Sequence, residues 1–366
     1  MEQDHEMLPV SVITGFLGSG KTTMLNKLLQ HPGMAKTAVV INEFGEIGID
    51  SDLVESAKDD VVLMASGCLC CTIRGDLVDT LRGLYIRRAR NEVPSFDRLV
   101  IETTGLADPA PILHTLMADP LLASRYRLDG VIATVDAVNG AATLDNHMES
   151  VKQAAVADRI VLTKVDLSDD RAVAGLSARL KELNPGAEIG SAAFGEIDPK
   201  VLFEAGLYNP ETKTLDVQRW LKEEAYAEPH GHEHGHHQHD DGHGHVHGRE
   251  GQDPHDVNRH DHRIRAFCMT LDEPLAWNNV ATWLELLATY RGEDMLRVKG
   301  ILNVQESDKP VVIHGVQHLF HPPVQLEAWP SEDRRTRVVF ITRDMDEATV
   351  KGMLDALADA GSVKVV

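Results

Sequence analysis

Apolar residues come in short β-branched runs separated by glycine turns and stretches of helical spacing. Residues 8–15, LPVSVITG, lead into GFLGSGKTT and then MLNKLLQH, which reads as strand, turn and helix. The same grammar returns further on. TAVVINEFGEIGID and DVVLMASGCLCC each read as strand then loop, and TIRGDLVDTLRGLYIRRAR as an amphipathic helix. FDRLVIETTG, LDGVIATVD and DRIVLTKVD supply further apolar strands that end in polar or glycine turns. Continuous Val/Ile/Leu runs between helices predict a mainly parallel sheet covered on both faces.

The pattern thins near residue 205. From His230 to His262 the chain holds 12 of its 19 histidines among Gly, Asp and Glu, with almost no apolar side chains, so this segment is expected to be a mobile linker, either a solvated spacer or, since its imidazoles can ligate, a store of weak interchangeable metal sites. Beyond it, RIRAFCMTLDEPL, MLRVKGILNVQ, KPVVIHGVQHLFHPP and TRVVFITR read as strands, and LAWNNVATWLELLATYR and EATVKGMLDALADA as helices. The expected class is α/β: a P-loop NTPase domain at 1–225, a His-rich linker at 226–262 and a smaller α+β C-terminal domain at 263–366. Cys268 is expected in the core of that last domain; Trp277 and Trp283 are expected there too and His314, His318 and His321 exposed along a strand, the alternative being that these five line a partner-recognition surface of this domain.

Composition narrows the function. A chain of 366 residues with 43% hydrophobic positions can bury two cores. No apolar run reaches the roughly 18 residues of a spanning helix, and the first ten residues are acidic, so a cytoplasmic protein without membrane contact is expected. A formal charge of −21 repels phosphate backbones, which argues against nucleic acid as a partner. Four cysteines in so long a chain do not make a disulfide framework.

Candidate chemistry begins at Gly15–Thr22, a full G-x-x-x-x-G-K-[ST] placed after a strand and before a helix. Its glycines let backbone N–H groups point at phosphate oxygens. Lys21 reaches the β and γ groups and Thr22 holds Mg²⁺. The plain alternative, a glycine turn with a chance lysine, does not explain eight matched positions in that context. In TKVD, Asp166 can accept from the ring N–H and the exocyclic amine of guanine, a pair that adenine lacks, while Lys164 lays its stem along the base. A strand-end turn is the ordinary reading of such a motif. ETTG offers Glu102 as an acid near Mg²⁺ and Gly105 as an N–H that meets the γ-phosphate; a helix cap is its ordinary reading.

The thiols of GCLCC, Cys68, Cys70 and Cys71, follow a strand of the same sheet, and the carboxyl ends of parallel strands share one edge. They should therefore lie near the nucleotide. Soft thiolates suit Zn²⁺, and three close thiols make an incomplete or exchangeable site rather than a structural one. Glu43 or Glu46 could add an oxygen ligand in one nucleotide state. A redox thiol pair and buried small hydrophobes are the rival readings.

Taken together, GFLGSGKTT, INEFGEIGID, GCLCC, ETTGLADPAPI and TKVD, followed by a His-rich segment and VKGILNV with VVIHGVQHLFHPP, resemble the CobW family of P-loop GTPases over nearly the whole chain. The resemblance implies a metallochaperone that moves zinc or cobalt under GTP control and hydrolyses GTP to GDP. It implies phosphate contacts from Gly18, Ser19, Gly20, Lys21, Thr22 and Thr23, Mg²⁺ at Thr22 with Glu102 nearby, guanine at Lys164 and Asp166, and transferable metal at Cys68, Cys70 and Cys71. Where some relatives carry an acid just before the Asn of NEFGE, this chain has Ile41. The implied partner is a metal-accepting client protein, with a nucleotide- or metal-dependent dimer left open. A GTP-regulated metal buffer or sensor without transfer is the alternative. A nucleotide kinase would have no use for the cysteines.

Overall fold

The computed structural model describes residues 7–41, 62–65, 73–203 and 263–362. In chain order the first part consists of β1 (Leu8–Gly15), α1 (Lys21–Leu29), β2 (Thr37–Ile41), β3 (Val62–Ala65), α2 (Ile73–Ala89) and β4 (Arg98–Glu102). It continues with α3 (Ala110–Ala118), α4 (Pro120–Arg125), β5 (Tyr126–Asp136), α5 (Gly140–Asn146), α6 (Met148–Val156), β6 (Arg159–Thr163), α7 (Asp170–Leu183), β7 (Glu188–Ala192) and α8 (Pro199–Leu202). The seven strands form one parallel sheet in the order β3-β2-β4-β1-β5-β6-β7.

Side-chain alternation explains the layers. Val10 and Val12 of β1 face one way, with Val40, Leu99 and Ile101, against Leu77, Leu81 and Leu84 of α2 and Leu113 of α3. Ile13 faces the other way with Val39, Val100 and Val161, against Met24, Leu25 and Leu28 of α1 and Leu202 of α8. Apolar residues on both faces account for the nearly unbroken runs in the sequence.

The second part holds β8 (Ile264–Leu271), α9 (Trp277–Arg291), β9 (Met295–Leu302), β10 (Val311–Val316), β11 (Leu319–Phe320), β12 (Val324–Gln325), β13 (Thr336–Arg343) and α10 (Glu347–Ser362). Its antiparallel sheet runs β11-β10-β9-β13-β8, with β12 beside β10. Trp283 and Leu287 of α9 and Val350 and Leu354 of α10 pack on Val298, Ile313 and Phe340. The Trp283 indole donates to Val350 O at 3.1 Å, which satisfies its buried N–H. Trp283 is core and Trp277 packs half-buried at its margin. Cys268 is half-buried against Ile301 and Val339.

The two sheets meet through buried contacts. Val316, at the end of β10, joins the apolar cluster that contains Ile112, Leu113 and Leu116 of α3. Ala155 of α6 packs against Leu296 and Ile341. Asp158, just before β6, accepts Arg297 Nη2 at 2.6 Å and Lys299 Nζ at 2.5 Å, and its second oxygen takes Val131 N–H at 2.9 Å.

This interface corrects the expectation of exposed histidines. His314, paired across the strands with Lys299, is buried, and His321 is held beside it with ring centroids 6.4 Å apart. Only His318 lies open, its ring Nδ1 2.9 Å from Ala288 O. Of the three, His314 alone lies within a strand, β10, which is buried on both sides; His318 sits in the turn after it and His321 past β11. Among the described residues, no helix is long and apolar enough to cross a membrane.

Candidate nucleotide and metal site

The phosphate loop leaves β1 through Gly15, whose φ is +145°. A Cβ there would stand 2.2 Å from Thr134 Oγ1 and 2.6 Å from Thr134 O, so only glycine fits. Hydroxyl groups hold the loop onto β5 and β6: Ser19 Oγ and Thr134 Oγ1 are 2.6 Å apart, and Thr163 Oγ1 donates to Ser19 O at 2.6 Å. Gly20, at φ +87°, turns the chain into α1. Lys21 folds back over the loop and donates to Gly15 O at 2.8 Å and Phe16 O at 3.1 Å. Phe16 stacks on His147 with centroids 4.4 Å apart.

A cleft of about 370 Å³ opens above α1, lined by Gly18, Gly20, Lys21, Thr22, Thr23, Ile41, Glu102, Gly105 and Lys164 among others. Inside it Thr22 Oγ1 donates to Glu102 Oε1 at 2.8 Å, across 80 residues of sequence. A hydroxyl and a carboxylate are hard oxygen donors of the kind Mg²⁺ prefers, so this pair suits that ion. Gly105 passes close over the loop; a Cβ on it would lie 2.7 Å from Leu17 N. A second cavity of about 290 Å³ shares Leu17, Gly18 and Lys164 and extends to Asp136, Asn139 and Ser150. A wider recess of about 510 Å³ between Lys27, His31 and Asp198 has no phosphate-loop residue in its walls.

Lys164 adopts a left-handed backbone (φ +55°) and donates to Asp136 Oδ2 at 2.7 Å. Burial alone would raise the Asp136 carboxyl. Bonds from Lys164, the Asn139 side chain and the Val138 and Asn139 N–H groups outweigh it and hold the carboxyl below its ordinary value. Asp166 is exposed, and its Oδ1 accepts the Phe194 N–H at 2.8 Å.

Thus Gly18, Ser19, Gly20, Lys21, Thr22, Thr23, Glu102, Gly105 and Lys164 line these two adjoining cavities, with Asp166 two residues past Lys164. Asp136 and Phe194, which anchor Lys164 and Asp166, were not anticipated. Their signal was positional, since Asp136 ends β5 and Phe194 follows β7, at the edge of the parallel sheet where the other loops gather.

Cys68, Cys70, Cys71, Glu43 and Glu46 lie outside the described residues, as does the His230–His262 segment. Among the described residues no three His, Cys, Asp or Glu side chains gather to hold a metal ion. The strand that leads toward the thiols is described, and its register is informative. Ala65 pairs with Ile41, Ile41 with Glu102, and Glu102 with Ile13, so the ends of β3, β2 and β4 form one row with Ile13 of β1 beside the cleft.

Comparison with known proteins decides the family. Residues 9–191 match the CobW/HypB/UreG nucleotide-binding domain, and residues 264–358 match the cobalamin synthesis protein cobW C-terminal domain.

The chain belongs to the CobW family.

Among similar members, the zinc chaperone YjiA of Escherichia coli K12 is 30% identical over 350 residues, covering 96% of this chain and 98% of that protein. The zinc-regulated GTPase metalloprotein activator 1 of Schizosaccharomyces pombe is 32% identical over 213 residues, 53% of this chain and 49% of its own. The crystal structure of Zn(II)-bound YjiA GTPase from E. coli superposes with a TM-score of 0.68 at 27% identity, covering 96% of this chain and 99% of that one. The CobW-family match spans both sheets described above.

Proposed function

We propose that this chain is a GTP-hydrolysing metallochaperone that takes up zinc, or cobalt, at Cys68, Cys70 and Cys71 and passes it to a client protein under nucleotide control. The observation that carries this reading is the row formed by Ile13, Glu102, Ile41 and Ala65. With neighbouring strands about 4.8 Å apart, Ala65 lies about 10 Å from Glu102. Cys68 comes only three residues later, so a loop change at the phosphate end of the cleft acts within short reach of the thiols. Family members named zinc chaperone and zinc-regulated GTPase metalloprotein activator support zinc as the cargo.

GTP is the substrate. The backbone N–H groups of Gly18 to Thr23 and the start of α1 receive its phosphates. Lys21 exchanges the Gly15 and Phe16 carbonyls for β- and γ-phosphate oxygens, and Gly105 meets the γ-phosphate. Thr22 and Glu102 would hold Mg²⁺, which when bound neutralises charge on the transferring phosphoryl group. Asp166 accepts from guanine; its oxygens have lone pairs to spare beyond the Phe194 N–H. Lys164 lays its stem along the base. Glu43 or Glu46 supplies an oxygen ligand to the metal in one nucleotide state only. The working compartment in this reading is the cytoplasm.

Metal titration tests the proposal. Zinc affinity, measured against a competing chelator for the empty, GDP and nonhydrolysable GTP-analogue forms, is expected to differ by about tenfold between nucleotide states. Equal affinity in all three overturns it. Replacing Cys70 and Cys71 by Ser should remove tight zinc binding and leave nucleotide binding intact. Zinc delivery to an apo acceptor should need hydrolysable GTP; a buffer or sensor would deliver none.

A further inference from the structure

The loop after β4 carries Gly105 into the phosphate cleft and, three residues later, Asp108 out toward the antiparallel sheet. Asp108 Oδ1 accepts the Ala110 N–H at 3.0 Å, at the start of α3. Its Oδ2 takes Lys152 Nζ of α6 at 3.1 Å and Gln317 Nε2, from the turn between β10 and β11, at 2.9 Å. α6 grips the same loop again, since buried Gln153 donates Nε2 to Ala107 O at 3.0 Å and Gly105 O at 3.3 Å.

Gln317 is itself firmly placed. Its N–H donates to Met295 O at 2.8 Å, and the preceding Val316 is seated in the core of the parallel-sheet domain. Its φ is +52°, a conformation that a non-glycine residue keeps only where its surroundings fix it. What that conformation accompanies here is an amide bonded to Asp108.

We infer that Gln317 is a positioning residue for GTP hydrolysis: through Asp108 it sets how Gly105 sits over the phosphate cleft. The inference rests on the reading of Gly105 as the group that meets the γ-phosphate. The C-terminal domain and the third phosphate then act on one short loop from opposite ends.

The test uses the full chain. Gln317→Glu sets a carboxylate against Asp108, and Gln317→Met keeps length without a donor. Both should lower kcat for GTP by about threefold to tenfold while KM stays within about twofold. Hydrogen exchange at residues 315–320 should differ between GDP and a nonhydrolysable GTP analogue in the wild type and lose that difference in Gln317→Glu. Combining Asp108→Asn with Gln317→Glu swaps donor and acceptor, keeps the Ala110 cap, offers Lys152 the new carboxylate at position 317 in place of that of Asp108, and should restore both readouts. Unchanged kcat and retained exchange differences in the single variants overturn the inference, as does a loss that the swap does not rescue. If exchange at residues 103–108 itself ignores the nucleotide in the wild type, the reading of Gly105 fails and the inference with it.

Discussion

Asp136 is nearly buried, and its carboxylate is used by Lys164, Asn139 and two backbone N–H groups. Asp136→Asn would remove the ion pair with Lys164 and leave only a bond from the ammonium to a neutral amide oxygen. The expected result is a GTP affinity about threefold to tenfold weaker at nearly unchanged kcat, read by nucleotide titration and steady-state kinetics. Asp166→Asn has a different signature, because an amide in that place offers a donor where guanine also donates. GTP should bind about tenfold to a hundredfold more weakly, and XTP, with an oxygen in place of the amine, should gain in comparison. Equal losses for both nucleotides would remove Asp166 from the base site. At this scale the sequence was a good guide only where chemistry is local. Gly15–Thr22 is read from consecutive positions, whereas Asp136 meets Lys164 only because β5 and β6 pair with Asp136 opposite Thr163, a register that no local pattern encodes.

Elements differ in how openly they announce themselves. The central strands are apolar on both faces and were evident from their Val/Ile/Leu runs. β7, with sequence EIGSA, is an edge strand paired to β6 alone; it buries little besides Ala192 and carries no such run, so it was not anticipated. α7 was missed too, although Asp169 caps its start and Leu176, Leu180 and Leu183 form its buried stripe. Its far end holds an interaction that only packing creates. Buried Asn184 donates Nδ2 to Ala154 O, Ala155 O and Ala157 O at 2.9, 3.1 and 2.8 Å, closing the carbonyl end of α6. Asn184→Ala removes the donor those carbonyls share, leaving Ala154 O only the Ala157 N–H, and should cost about 1–3 kcal/mol, seen as a lower midpoint in denaturant at similar slope.

Across the whole molecule, the contact between sheets is charged at its centre. Burial would raise the Asp158 carboxyl, yet Arg297 and Lys299 hold it well below the usual carboxylate range. Asp158→Ala leaves two buried cations without their anion and should destabilise by about 3–5 kcal/mol, measured by thermal unfolding. The histidines beside it give acid sensitivity. Burial, with Arg297 adding to it and Asp158 opposing, pushes His321 down to about 3; burial, Lys299 and Arg297 push His314 down as well. Both stay neutral in the folded chain and take up protons near pH 6.5 once it unfolds, so stability is full above that pH and is lost as pH falls from 6.5 toward 3. Each such imidazole costs about 1.4 kcal/mol per pH unit in that window. The melting temperature should drop between pH 7.5 and 5.5, and His321→Gln should flatten the drop. Two domains were legible in the sequence; their shared face was not, because His314 alternates with apolar neighbours in the same way on a surface strand and on a buried one.

Val316 has one more consequence. A side chain from the second half of the polypeptide completes the interior of the first, alongside Ile112, Leu113 and Leu116. The amino-terminal half therefore lacks part of its own core without the second. Severing the backbone anywhere between Phe203 and Arg263 should yield two fragments that co-elute and reconstitute when produced together, while the amino-terminal fragment made by itself should precipitate.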